Sequence, residues 1–293
     1  MTELVPLNIL LIKAQKEHYA VMQFIIHNLE WIKTILEVAQ ATNSPVILGA
    51  KEMDINYMGG YNVVSSIVKS LMEDLNITIQ VALHLDHGTS IESCKKAINA
   101  GFSSIMLDGT HLDITENIKA LQQLISFINN KNIALEAEVG AIAGTEDDIS
   151  STTILANLDN SIKINQLNIS SLAIGINNFH GFYPKDWKSL NFDLLQQIAQ
   201  NCNKPLVLHG GSGIPKNQVL KAIKLGICQV NINSELQLIF AEKLRQEIVN
   251  NPYRIIDENT YQTMLANCIH ALKKKILSFF IDYGSLGKSI NMK

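Results

Sequence analysis

Charge is scarce in this chain. Of 293 residues, 24 are lysine or arginine and 27 are aspartate or glutamate, and the net charge of −3 offers no basic surface for nucleic acid or an acidic membrane. Long apolar runs are missing too. No stretch approaches the uninterrupted length of a membrane-spanning helix, and the first residues lack a basic-then-apolar leader, so a cytoplasmic protein is expected. Cysteine is sparse: Cys94, Cys202, Cys228 and Cys268 are scattered and form no C-x-x-C, a pattern that suits reduced, mostly buried thiols. No proline-, glycine- or serine-rich linker and no low-complexity block divides the chain, so a single domain over residues 1–293 is expected.

What is present is a sizeable apolar fraction, 47%, arranged with regularity. Short β-branched runs predict strands near Ala20–Ile26, Pro45–Gly49, Gln80–Asp86, Ser104–Asp108, Ile133–Val139, Ser171–Ile176, Pro205–His209 and Ile227–Ile232. Between them lie helical patterns, including Asn28–Ala41, Ile114–Asn129, Phe192–Cys202, Val219–Leu225 and Glu235–Val249, with Pro215 placed where a helix would begin. A last helix is expected over about Thr260–Phe280. Strand-then-helix units repeated without a break predict a (β/α)8 TIM barrel with an additional C-terminal helix. The rival, an open doubly wound sheet, would carry fewer strands and a glycine-rich dinucleotide turn after the first, and that turn is absent.

In such a barrel the active site lies at the carboxyl ends of the strands, and polar residues gather there. Asp86 and His87 close the third strand, Asp108 the fourth; Glu138 lies in the fifth; His180, His209 and the pair Asn231 and Asn233 follow the sixth, seventh and eighth. Charged and metal-capable groups are costly in apolar strands, so this placement points to a site. His87, His180 and His209 are candidate ligands for one Zn2+ ion, since three protein ligands leave the open position of a catalytic zinc. Asp86, beside a ligand, is a candidate acid/base. The stretch Glu138–Asp148 mixes carboxylates and glycines, as a loop that carries a base over a substrate would, although acidic surface loops are also common. Gly210–Pro215 is a glycine-rich turn into a helix start, suited to phosphate, and Val230–Ser234 could form a second wall of the same anion site. The remaining histidines, His18, His27, His84, His111 and His270, carry no signal beyond ordinary packing, except that His84 could support Asp86 from the same strand.

Several motifs, taken in order, resemble the class II, zinc-dependent fructose-bisphosphate and tagatose-bisphosphate aldolases. They are Ala82-Leu-His-Leu-Asp-His-Gly88, Gly101-Phe-Ser-Ser-Ile-Met-Leu-Asp-Gly109, Glu136-Ala-Glu-Val-Gly140, Glu146-Asp-Asp148, His180-Gly-Phe-Tyr-Pro184, Leu208-His-Gly-Gly-Ser-Gly-Ile-Pro215 and Asn231-Ile-Asn-Ser-Glu235. The resemblance implies that His87, His180 and His209 hold zinc, with Asp108 and Glu138 as alternate ligands. It implies that Asp86 handles the proton of the substrate's C4 hydroxyl and Glu146 the proton of the three-carbon fragment. Gly181, Gly210, Ser212, Asn231, Asn233 and Ser234 would surround a phosphate, with a monovalent cation, Na+ or K+, held by nearby carbonyls. A small sugar phosphate substrate, glycolytic cleavage, no nucleic acid or membrane partner, and a homodimer or homotetramer follow from the same resemblance.

The chain also departs from the family's pattern. Ile25 stands where the family has asparagine, Lys51 where it has serine, Asn177 and Ala143 where it has glycine, and Asn259 where an arginine reaches a neighbouring subunit's phosphate. Lys51 could give a point charge to phosphate or block the site. These changes keep three alternatives open: a tagatose-bisphosphate or other ketose-phosphate aldolase, a Schiff-base enzyme using Lys51 as nucleophile, and a diverged paralogue acting as a binding protein.

Overall fold

Runs such as Val46–Ala50 and Ile227–Ile232 are buried along their whole length, with no polar face to offer water. Such strands are stable only where both faces are covered, which parallel pairing under helices provides. The computed structural model describes residues 3–129, 131–146, 149–151, 154–250 and 260–290. In chain order, α1 (Leu7–Glu17), β1 (Val21–Ile25), α2 (Leu29–Ala41), β2 (Val46–Ala50), α3 (Glu52–Tyr57), α4 (Tyr61–Asp74) and β3 (Val81–Gly88) lead to α5 (Ile91–Ala100), β4 (Ser104–Leu107) and α6 (Ile114–Ile128). Next come β5 (Ala134–Val139), β6 (Ala143–Glu146), β7 (Ile149–Ser151), α7 (Leu158–Asn165), β8 (Ser171–Ile174) and β9 (Phe179–His180). The chain ends with α8 (Phe192–Asn201), β10 (Leu206–Leu208), α9 (Lys216–Lys224), β11 (Ile227–Ile232), α10 (Ser234–Asn250) and α11 (Thr260–Asp282).

Eight strands close into a parallel barrel in the order β1-β11-β10-β8-β5-β4-β3-β2, the (β/α)8 architecture the sequence predicts. Helix starts are fixed by side chains: Asn28, Asp113, Asn157 and Asn191 each accept a backbone N–H of the first turn, and Ser90 with Ser93 forms a reciprocal pair at α5. α11 packs on the barrel of its own chain, where Phe279 and Phe280 lie 6.1 and 5.7 Å from the Phe24 ring.

Two features lie outside the strand-helix repeat. α1 covers the amino-terminal mouth: Leu7, Leu10, Leu11 and Ala14 pack on Val21, Ile47, Ala82, Ala134, Ala173, Val207 and Cys228, the inward residues at that end of the strands. The opposite mouth carries a small sheet, β7-β6-β9, in which β6 pairs with β9 through Ala143↔Phe179 and Gly144↔His180. The stretch the sequence reads as a flexible loop is thus tied at β6 to the strand that carries His180.

Candidate active site at the barrel mouth

β3 supplies two neighbouring functional residues, although side chains on a regular strand alternate between faces. The register with β4 slips between Leu85 and Gly88, and His87 takes a left-handed backbone, φ 49°. A bulge of this kind re-aims a side chain at the end of a strand, and a non-glycine residue held at positive φ is strain of the sort that collects at functional sites. Asp86 and His87 are consequently both within reach of the mouth.

His180 follows the sixth barrel strand, as expected, but not directly. β8 stops at Ile174; a turn follows in which Asn177 adopts φ 69°, a conformation asparagine tolerates better than most residues, and His180 sits on β9 instead. Asn177 thus takes a positive φ that glycine would adopt more readily. Asn178 anchors this turn by donating to the His209 carbonyl at 3.0 Å. Tyr183 Oη donates to the Gly210 carbonyl at 2.7 Å and accepts the Phe179 N–H at 3.1 Å.

The three histidines converge, with one nitrogen of each within 4.8 Å of the others. The outer nitrogens of His87 and His209 meet carboxylates. His87 Nδ1 lies 3.0 Å from Asp108 Oδ2, and His209 Nε2 lies 2.9 Å from Glu136 Oε1, both residues of that second pair being fully buried. Each carboxylate accepts a hydrogen bond and so fixes its histidine's tautomer. The remaining nitrogens, His87 Nε2 and His209 Nδ1, then face each other at 2.8 Å as two lone pairs. Two such acceptors need a proton or a cation between them. His180 is ready to join, because burial, with His87 and His209 nearby, holds its pKa well below the ordinary value and keeps the imidazole neutral. The donor set thus fits a divalent metal ion.

A second group of possible ligands, His87, Asp108 and Glu138, adjoins the first through His87. Glu138 is buried with its Oε1 lacking a hydrogen-bond partner among the described residues, and burial, then Asp108, pushes its carboxyl well above the usual range. Asp108 goes the other way: burial opposes its charge, but hydrogen bonds from His87 and Thr110 hold it low. Burial disfavours a charged His87 as well, yet the Asp108 hydrogen bond and the Asp86 charge together raise its pKa.

Asp86 is 2% exposed. Burial raises its pKa, but His87, His209, Lys51 and His84 more than offset this and hold the carboxyl below the ordinary range. Gln23 donates to its Oδ1 at 2.8 Å, and Gln229 in turn donates to Gln23 Oε1 at 3.1 Å and to Asn231 Oδ1 at 2.9 Å. This buried ladder holds Asp86 from below. Sequence reading missed both glutamines, whose only signal was polarity inside strands that otherwise read as apolar. His84 instead pairs with Ser104 at 2.8 Å.

One cavity is lined by Asp86, His180 and His209 together with Ile25, Lys51, Gly181, Gly210, Ser212, Asn231, Asn233 and Ser234. The expected phosphate residues are therefore brought together, at the amino terminus of α10, where helix N–H groups and the positive dipole end favour an anion. Ser212 is committed in part to that terminus: its Oγ accepts the backbone N–H groups of Asn233 at 3.1 Å and Glu235 at 3.2 Å. Lys51, 5% exposed at the end of β2, is the only lysine or arginine lining the cavity among the described residues. The side chain of Glu146 and the segment Asp257–Asn259 lie outside the described residues.

Comparison with known proteins agrees with this geometry. The family model for class II fructose-bisphosphate aldolase matches residues 5–288. A fructose-bisphosphate aldolase of Ureaplasma parvum is 46% identical over 289 residues, covering 98% of this chain and 99% of its own. A 6-phospho-5-dehydro-2-deoxy-D-gluconate aldolase of Bacillus licheniformis is 39% identical over 282 residues, 96% of this chain and 95% of its own. Among solved structures, the YdjI aldolase of Escherichia coli K12 superposes with TM-score 0.82 at 26% identity, covering 98% of this chain and all of its own.

Proposed function

The chain belongs to the class II fructose-bisphosphate aldolase family, and from that premise we propose that it is a zinc-dependent aldolase which reversibly cleaves fructose 1,6-bisphosphate into dihydroxyacetone phosphate and glyceraldehyde 3-phosphate, within one barrel domain spanning residues 1–293. The observation that carries the reading is the facing pair His87 Nε2 and His209 Nδ1, each turned inward by a carboxylate on its far side. His87, His180 and His209 would hold the ion, and three imidazole ligands suit zinc; Asp108 and Glu138 are the alternates. Bound there, the ion supplies a Lewis acid beside the substrate's ketone oxygen.

The chain's own groups do the rest. Asp86, ionised and fixed through Gln23, takes the proton of the C4 hydroxyl as the C3–C4 bond breaks, and returns it in condensation. Glu146, on β6, exchanges the proton of the three-carbon fragment. Gly181, Gly210, Ser212, Asn231, Asn233 and Ser234 receive one phosphate at the α10 terminus, with Na+ or K+ beside their carbonyls, and Lys51 gives the second anionic group its counter-charge. The nature of that group also supports a second reading. A cavity in which Lys51 is the one lysine or arginine among the described lining residues suits a ketose monophosphate bearing another anion, the kind of substrate named for the Bacillus licheniformis relative.

A homodimer or homotetramer belongs to the same reading, supported by exposed Leu238, Ile248 and Val249 on α10 and Tyr261 on α11. A cytoplasmic setting is supported by four free, buried cysteines. Among the described residues no helix is long and apolar enough to cross a membrane. The test is release of triose phosphate from fructose 1,6-bisphosphate by zinc-loaded protein, set beside tagatose 1,6-bisphosphate and 6-phospho-5-dehydro-2-deoxy-D-gluconate as rival substrates.

A further inference from the structure

The loops that follow β1, β2 and β11 meet in a hydrogen-bond cluster that the reaction above does not use. His27, just past β1, sets its ring edge-on against Trp31, with centroids 4.8 Å apart. Its Nδ1 lies 2.7 Å from Asp54 Oδ1 on α3, and its Nε2 lies 3.0 Å from Asn233 Oδ1, at the start of α10. Gln237, one turn into α10, brings its Nε2 within 3.1 Å of His27 Nε2 and donates to Asn233 Oδ1 at 2.9 Å.

His27 Nδ1 thus faces the Asp54 carboxylate, and Nε2 faces both the Asn233 carbonyl oxygen and the Gln237 amide nitrogen. Nδ1–H donates to the Asp54 carboxylate, while His27 Nε2 and the Gln237 amide converge on the Asn233 carbonyl oxygen, to which Gln237 donates. With its amide oxygen turned to His27 and its backbone N–H held by Ser212 Oγ at 3.1 Å, Asn233 is fixed at two points. Its amide nitrogen makes no hydrogen bond among the described residues, and Asn233 lines the cavity beside Gly181, Gly210 and Ser234.

We propose that His27 and Asp54 are positioning residues for the anion site: through the carbonyl of Asn233 they turn its amide N–H groups onto a phosphate monoester dianion. The inference rests on the reading of this cavity as a sugar-phosphate site, but not on turnover. Neither residue touches the reacting atoms. Their contribution is to bind and orient the phosphate, so their loss raises KM more than it lowers kcat.

The experiment is titration of zinc-loaded protein with inorganic phosphate by calorimetry, alongside steady-state kinetics, for His27→Ala, Asp54→Ala, the double variant and His27→Gln. His27→Ala is expected to weaken phosphate about 3- to 10-fold, the value of one ordinary hydrogen bond lost, with KM raised by the same factor and kcat changed less than about twofold. Asp54→Ala weakens phosphate in the same direction, and the double variant is no worse than the more affected single, as for residues acting in series. His27→Gln, which offers an amide N–H to Asn233, recovers part of the affinity. Should His27→Ala not fold, Asp54→Asn and Gln237→Ala report the same quantity. Unchanged phosphate affinity in the folded variants overturns the proposal, as does a fall in kcat with phosphate binding intact. A wild-type chain that binds phosphate but cleaves no ketose phosphate sinks the aldolase reading and leaves this one standing.

Discussion

At the scale of the residue, the site is built from side chains whose partners fix what they can do. Asp86 needs no metal to stay ionised, because histidines and Lys51 outweigh its burial. Asp86→Asn should thus retain zinc, measured by metal analysis, while kcat falls about 10²- to 10⁴-fold, as expected for loss of an acid/base group. Glu136 touches no substrate in this account, yet it sets the tautomer of His209. Glu136→Gln should weaken zinc about 10- to 100-fold in a chelator competition, the usual effect of removing a ligand's outer partner; unchanged affinity would mean that His209 does not ligate. Lys51→Ser should raise KM for a bisphosphate while sparing binding of inorganic phosphate at the α10 terminus. Residues of this kind were legible in the sequence because histidines and carboxylates at strand ends advertise themselves. His27 and Asp54 were not, because their value comes from meeting Asn233 and Gln237 about 200 residues later, a contact set by loop packing rather than by any local pattern.

At the scale of the element, the strands and their order followed from short apolar runs, and the barrel closed as expected. The bulge that aims Asp86 and His87 did not follow, since nothing in the residues before Gly88 marks a register slip. Nor was the lid over the amino-terminal mouth read, although Leu7, Leu10, Leu11 and Ala14 have helical spacing; the strand pattern that begins after α1 drew attention past it. Gly210 has φ 63° and lies against the backbone of Phe179 so closely that a Cβ would overlap the carbonyl oxygen. Gly210→Ala should therefore push β9 away, displacing His180, and is expected to lose zinc along with activity. Cys94 on α5 and Cys228 on β11 test the closeness of packing in the same elements. Burial pushes both thiols up to about 12. They should resist iodoacetamide at pH 8 until the chain unfolds. The sign of their linkage is also fixed: in the folded state they stay protonated, while in the unfolded state they ionise near about pH 8.5 to 9. Their contribution to stability is complete below that pH and declines as pH rises toward 12.

At the scale of the whole molecule, a closed barrel holds its polar groups on one mouth and seals the other with α1, so substrate, metal and solvent meet at one face only. On the proposed reading a metal would link that face to global stability. The proposed ligands on β3, β9 and the end of β10 come from distant parts of the chain, and an ion binding only the folded form would stabilise it by mass action. Chelation should lower the unfolding temperature, and readdition of zinc should restore it. The measurement that tests the central claim most directly is fructose 1,6-bisphosphate cleavage by purified, zinc-loaded protein, with and without chelator, followed by a borohydride trap. Cleavage that chelator abolishes and zinc restores, with no borohydride adduct, is the expected result. Cleavage that survives removal of the metal and leaves substrate bonded to Lys51 would contradict the account.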